Sequence, residues 1–208
     1  MANINEKTQM NKVPNGISYE QNGWLYVSIK GDPKERGYAY GKLIHKEMKK
    51  VKDTLDFIIY NDYGVKWEFF IEASNKYYKQ KIMDQFPEFY EEMAGFAEGC
   101  SDGGTKMSVD EVAAWNNYFT LTESWWGNMP EEESISIKGN IKSSASSSEG
   151  GSPDRCSAFI ANGSWTADGK IVVAHNNFSN FVDGQFARVV VDLKPTKGHR
   201  IMMMGFPG

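Results

Sequence analysis

The strongest constraint on this chain is a change of hydrophobic pattern across a stretch that cannot fold by itself. Lys142 to Arg155 reads Lys-Ser-Ser-Ala-Ser-Ser-Ser-Glu-Gly-Gly-Ser-Pro-Asp-Arg, too polar and too small in side chain to bury anything. Before it, apolar residues recur mostly at helical spacing. After it, they alternate with period two. The pattern predicts an α+β chain in three parts: a mainly helical part over residues 1–135, a flexible linker over 136–155, and a β-sheet region over 156–208 that opens on Cys156.

In the first part Trp24 to Ile29 reads as one short strand between Gly23 and Gly31. Asp32-Pro33-Lys34-Glu35 then supplies an N-cap aspartate, a proline at the first helical position and a glutamate at the third, so a helix starts there. Leu43, Ile44, Met48, Val51, Leu55 and Ile58 give it one apolar face, with lysines on the other. Gly37 and Gly41, one turn apart on this helix, predict close approach of another backbone, because glycine otherwise weakens a helix. Further helical patterns run from Lys66 to Met83, from Pro87 to Gly99, and from the capping box Ser108-Val109-Asp110-Glu111 through Thr122. Cys100, among Gly99, Gly103 and Gly104, reads as a small buried thiol in a turn.

After the linker, Cys156 to Ala161 and Lys170 to His175 read as strands, joined by the turn chemistry of Asn162-Gly163 and Asp168-Gly169. Phe186 to Leu193 and Arg200 to Phe206 give two more, so the region reads as a meander. It is expected to be incomplete, with a sheet edge open and no helices to cover its other face.

A net charge of −4 with scattered basic residues leaves no electrostatic footprint for nucleic acid. Two cysteines make no disulfide framework. The polar start, Met1 to Lys7, has no signal-peptide core and no stretch is long enough to span a bilayer, so a cytoplasmic location is the default expectation. No zinc spacing, phosphate-cradling loop or Ser-His-Asp order is visible, and neither metal nor cofactor is expected.

Cys156 is the candidate nucleophile. It sits where an exposed segment, open to nicking, meets a strand that can hold a reactive group in place. A thiol is only partly ionised at neutral pH and needs a base. Cleavage of the Arg155–Cys156 bond would create one on the same residue, an α-amino group of pKa roughly 7.7–8.0. His175 would come near Cys156 if the two strands pair. Asn176 or Asn177 could donate to a developing oxyanion, worth about 3 kcal/mol for one good donor. Each has a plainer reading as well: Cys156 as a buried strand thiol, His175 as a surface hydrogen-bonding residue, the asparagines as turn formers. His45 and His199, among lysines and loops, are given no specific role.

Cys156-Ser157-Ala158-Phe159, followed by Asp168-Gly169-Lys170-Ile171-Val172-Val173-Ala174-His175-Asn176-Asn177-Phe178, resembles the nucleophile region of the phospholipase B-like proteins and their relatives in peptidase family C45, the acyl-CoA:6-aminopenicillanic acid acyltransferase-like group of N-terminal nucleophile hydrolases. Upstream, Gly31 to Gly41 resembles the segment with which these proteins open, and Glu92 to Gly99 resembles their middle helix. The resemblance implies a four-layer αββα sandwich and a precursor that cuts itself before Cys156, its N-terminal fragment staying bound. Members run considerably further than this chain, and eukaryotic relatives are lysosomal or secreted. Other families of the superfamily have an Arg and an Asp at the end of the second strand, where this chain has His175 and Phe178-Ser179. Two functional classes follow. One is an amidohydrolase or acyltransferase acting on a small-molecule amide or acyl-lipid through a thioester, with phospholipid ester hydrolysis as a variant. The other is an inactive binding or structural member of the same group.

Overall fold

A computed structural model describes residues 9–129, 156–176 and 184–208. The expected linker, residues 136–155 with Arg155, lies outside the described residues, as do Asn177, Phe178 and Ser179. The chain has mixed α+β architecture and divides into two compact units, residues 1–145 with 186–208, and residues 146–185.

The first unit opens with three antiparallel strands, β1 (Met10–Val13), β2 (Gly16–Gln21) and β3 (Trp24–Gly31). Only β3 was expected. The missed signal is Asn22-Gly23: both residues take positive φ, 52° and 81°, the two-residue turn that matches strand twist. Leu25, Val27 and Ile29 are buried on one face of β3, while Tyr26 on the other stacks on its cross-strand partner Tyr19 at 5.1 Å between centroids.

Helix α1 (Pro33–Tyr63) begins where the capping residues predict, the Asp32 N–H donating to Glu35 Oε2 at 3.3 Å. Its 31 residues span about 46 Å. Ile44, Met48, Val51, Leu55 and Ile59 are almost completely buried, each contributing roughly 1.5–3 kcal/mol. The expected helix over Lys66 to Met83 is α2 (Trp67–Ser74), a π-helical turn (Asn75–Lys79) and α3 (Gln80–Gln85). Helix α4 (Pro87–Gly103) follows, then α5 (Val109–Asn116), whose Ser108–Glu111 capping box forms as expected, and a second π-helical turn (Thr120–Trp125).

Helices α1 and α4 meet through glycines on both. A Cβ on Gly37 would lie 2.1 Å from Glu92 O and one on Gly41 2.1 Å from Phe96 O. Reciprocally, one on Gly95 would lie 2.2 Å from Lys34 O and one on Gly99 2.1 Å from Tyr38 O. The paired positions rise together along both helices, so the two run parallel. Arg36 locks the near end by bonding Glu92 Oε2 through Nε (2.9 Å) and Nη2 (2.7 Å). Cys100 corrects the expectation of a turn thiol. It is buried inside α4, its Sγ 3.5 Å from Gly41 O, and burial pushes the thiol up to about 12.

The expected four-strand meander is not formed. Among the described residues, strand β4 (Ser157–Gly163) pairs only with β5 (Gly169–Asn176), in a two-stranded sheet of the second unit. Strands β6 (Val189–Pro195) and β7 (Ile201–Gly205) complete the first sheet, in order β1-β2-β3-β6-β7, with β6 parallel to β3. Burial explains this: register places Val189 beside Leu25 and Val191 beside Val27, all four buried in the core that α1 covers. The segment after β7 returns to that core, where Trp115 Nε1 donates to Pro207 O at 2.6 Å.

Candidate nucleophile site

The second unit is a hairpin whose tip is tightly bonded. Gly163 and Gly169 take positive φ, 56° and 74°, which reverses the chain without strain at either glycine. Between them Thr166 Oγ1 donates to Gly163 O (3.2 Å) or Lys170 O (2.9 Å), and the Lys170 N–H donates to Asp168 Oδ1 (3.1 Å). The hydrogen bond from the Lys170 ammonium, 2.8 Å away, holds the Asp168 carboxyl below its ordinary range. This tip sets the register, with a one-residue irregularity between Ala161 and Gly163.

Register decides which candidate residues meet. Ile160 pairs with Val173, Ala158 with His175 and Ser157 with Asn176. Cys156 is exposed and precedes the first paired residue by one position. Side chains alternate along a strand, and directly paired residues share a face. Cys156 therefore falls on the face of Ala158 and His175, with His175 its diagonal cross-strand neighbour, a separation of roughly 7–8 Å between backbones. Asn176 belongs with Ser157 on the opposite face, so its carboxamide alternates away from the thiol. His175 and Asn176 are both exposed. Arg155, the other half of the expected cleavage site, and Asn177 lie outside the described residues.

The first unit holds a polar cluster that sequence reasoning missed. Ser28 on β3 donates to Asp192 Oδ2 on β6 (3.0 Å), Lys194 Nζ donates to Ser28 Oγ (3.0 Å), and Arg200 Nε donates to Asp192 Oδ1 (2.6 Å). Arg200, with help from Lys194 and Ser28, pulls the Asp192 carboxyl down to about 2. A serine beside a lysine resembles a nucleophile beside its base, but Lys194 also lies 2.8 Å from Asp192, so its ammonium is engaged as a donor to both Ser28 and Asp192. The cluster is a cross-strand tie. Positions 28 and 192 lie 164 residues apart, so only the β3–β6 register reveals it.

The remaining histidine of the helical layer packs structurally. A Cβ on Gly103 would lie 2.5 Å from His45 Cγ, and Thr105 Oγ1 donates to His45 O at 2.7 Å. Burial, then Lys46 and Lys42, lower its pKa. Among the described residues no group of three or more His, Cys, Asp or Glu side chains is placed to hold a metal ion, and no helix is long and apolar enough to cross a membrane.

No family model matches the chain. It is 24% identical over 191 residues to an uncharacterized protein of Archaeoglobus fulgidus, an alignment that covers 90% of this chain and 30% of that protein. The chain thus spans about a third of the length of the relative it matches.

Proposed function

We propose that the chain carries the nucleophile of a self-processing cysteine N-terminal nucleophile hydrolase, related to the phospholipase B-like and C45 proteins, that breaks amide bonds through a thioester. The observation that carries this reading is the position of Cys156: exposed, one residue before a register-locked hairpin, with His175 on its own face. The layer of α1 on the sheet β1-β2-β3-β6-β7 is compatible with one half of an αββα sandwich.

In the maturation step the Cys156 thiol attacks the Arg155 carbonyl carbon and the peptide C–N bond breaks, leaving an Arg155 thioester on Sγ and a new α-amino group on Cys156. Water then hydrolyses the thioester, giving the Arg155 carboxylate and returning the thiol. In the catalytic cycle that amine takes the thiol proton, the thiolate adds to the substrate amide carbonyl, and the proton leaves with the departing amine. Water attacks the acyl-thioester and releases the acid. His175, on the thiol's face, orients the amine or the substrate. Asn176 alternates to the face opposite the thiol in the β4–β5 register, which weighs against its carboxamide as the oxyanion donor.

Intact-mass measurement tests the maturation step. Wild-type protein incubated at mildly acidic and neutral pH is expected to give two fragments meeting between Arg155 and Cys156, and Cys156→Ala a single chain. Wild-type protein that stays whole would overturn the reading. In cleaved protein, a residue added before Cys156 should abolish labelling by a thiol-directed acyl probe, while His175→Ala retains most of it. The reverse result would assign an ordinary Cys-His pair instead.

A further inference from the structure

We infer that His175 is the general base of the maturation step and hands that role to the α-amino group of Cys156 once the chain is cut. This role rests on the self-processing reading above and belongs to the one stage that the amine cannot serve. Before cleavage the nitrogen of Cys156 is part of the Arg155–Cys156 peptide bond, its lone pair delocalised into the carbonyl. It cannot take the thiol proton, and a cysteine attacks as the thiolate. Maturation therefore needs a base that the mature site does not.

The nucleophile unit offers few candidates. Among its described residues the ionisable side chains besides Cys156 are Asp168, Lys170 and His175. Asp168 and Lys170 are ion-paired at 2.8 Å at the turn end of the hairpin, where Gly163 pairs with Gly169. Cys156 precedes the other end, and the seven residues of β4 put about 23 Å of strand between the two. His175 remains. The register that pairs Ala158 with His175 puts the imidazole on the thiol's face one diagonal step away, a separation that a ring side chain spans directly or through one water. Imidazole is also the side chain that takes up and returns a proton near neutral pH. The proton balance closes on this one group. The imidazole takes the proton from Sγ, the thiolate adds to the Arg155 carbonyl carbon, and the imidazolium returns the same proton to the nitrogen as the C–N bond breaks. The products are the Arg155 thioester, a neutral imidazole and the α-amino group that serves as base in every later turnover.

Intact mass followed over time compares the maturation of wild type, His175→Ala and His175→Gln. Both variants should cut at least about 100-fold more slowly than wild type, the range for loss of a general base, with circular dichroism unchanged. Added imidazole should restore cutting to His175→Ala and leave wild type and Cys156→Ala as they were, a rescue that loss of a merely structural side chain would not show. A second arm bypasses maturation: the recognition sequence of an external protease that leaves Cys156 as the first residue is placed before it in wild type and in His175→Ala. Once cut in this way, His175→Ala should take up the thiol-directed acyl probe at close to the wild-type rate. Cutting of both variants at the wild-type rate, or slow cutting that imidazole leaves slow, would overturn the role of His175 while self-processing stands. Bypass-cut His175→Ala that fails to label would overturn the hand-over to the amine. Wild type that never cuts would overturn the self-processing reading itself, and this role with it.

Discussion

The glycine contacts between α1 and α4 allow a stability change to be worked from distances. Gly41→Ala puts a methyl 2.1 Å from Phe96 O and 2.9 Å from Cys100 N, both main-chain atoms of α4 that cannot swing aside. Ordinary contact begins at 3.4 Å, so the helices must part by more than 1 Å at this point. Parting also loosens Tyr40 against Phe96, in edge contact at 5.2 Å. Overpacking of this kind costs about 1–3 kcal/mol when side chains can yield. Rigid backbone on both sides places this case at or above the upper end, and the better helix propensity of alanine offsets at most about 1 kcal/mol. We expect a net loss of about 3 kcal/mol, a fall in Tm of roughly 6–12 °C for a chain of this size. Gly127→Ala is the control, since among the described residues its methyl would find only Glu123 O at 3.5 Å, and it should shift Tm little. Urea unfolding followed by tryptophan fluorescence measures both. A loss below about 1 kcal/mol for Gly41→Ala would refute the claim that these helices are held in backbone contact.

The other predictions concern acid, thiols and the polar tie. Asp192 has a folded-state pKa of about 2, below the ordinary aspartate value, so its stabilising effect is present above that ordinary value and is lost as pH falls toward 2. Urea titrations between pH 6 and 2 should therefore show a steeper acid loss for wild type than for Asp192→Asn; equal slopes would remove Asp192 from the account. Ellman's reagent should modify one thiol, Cys156, in folded protein and a second, Cys100, only in denaturant; rapid reaction of Cys156→Ala under native conditions would contradict the burial of Cys100. Ser28→Ala should leave any amide hydrolysis by cleaved protein unchanged, and a dead variant would make the Ser28–Lys194 pair part of the chemistry.

Local chemistry alone determined a good part of this molecule. Asp32-Pro33-Lys34-Glu35 starts α1 because caps act within one helical turn, and Gly37 and Gly41 announced a close backbone because an exposed helix has no use for them. The turn residues near Asn162-Gly163 and Asp168-Gly169 identified the hairpin behind Cys156 because two-residue periodicity and positive φ are read over short spans. The strands before Trp24 are also legible in Asn22-Gly23, whose positive φ values mark a two-residue hairpin turn. Which backbone lies against Gly37 and Gly41, the parallel pairing of β3 with β6, and the grouping of Ser28 with Asp192, Lys194 and Arg200 were decided by tertiary structure. So was the sharing of one face by Cys156 and His175 but not Asn176, since a slip of one residue in register would exchange them. Sequence spacing carries the period of an element; only the burial of Val189 and Val191 against Leu25 and Val27 selects its neighbour.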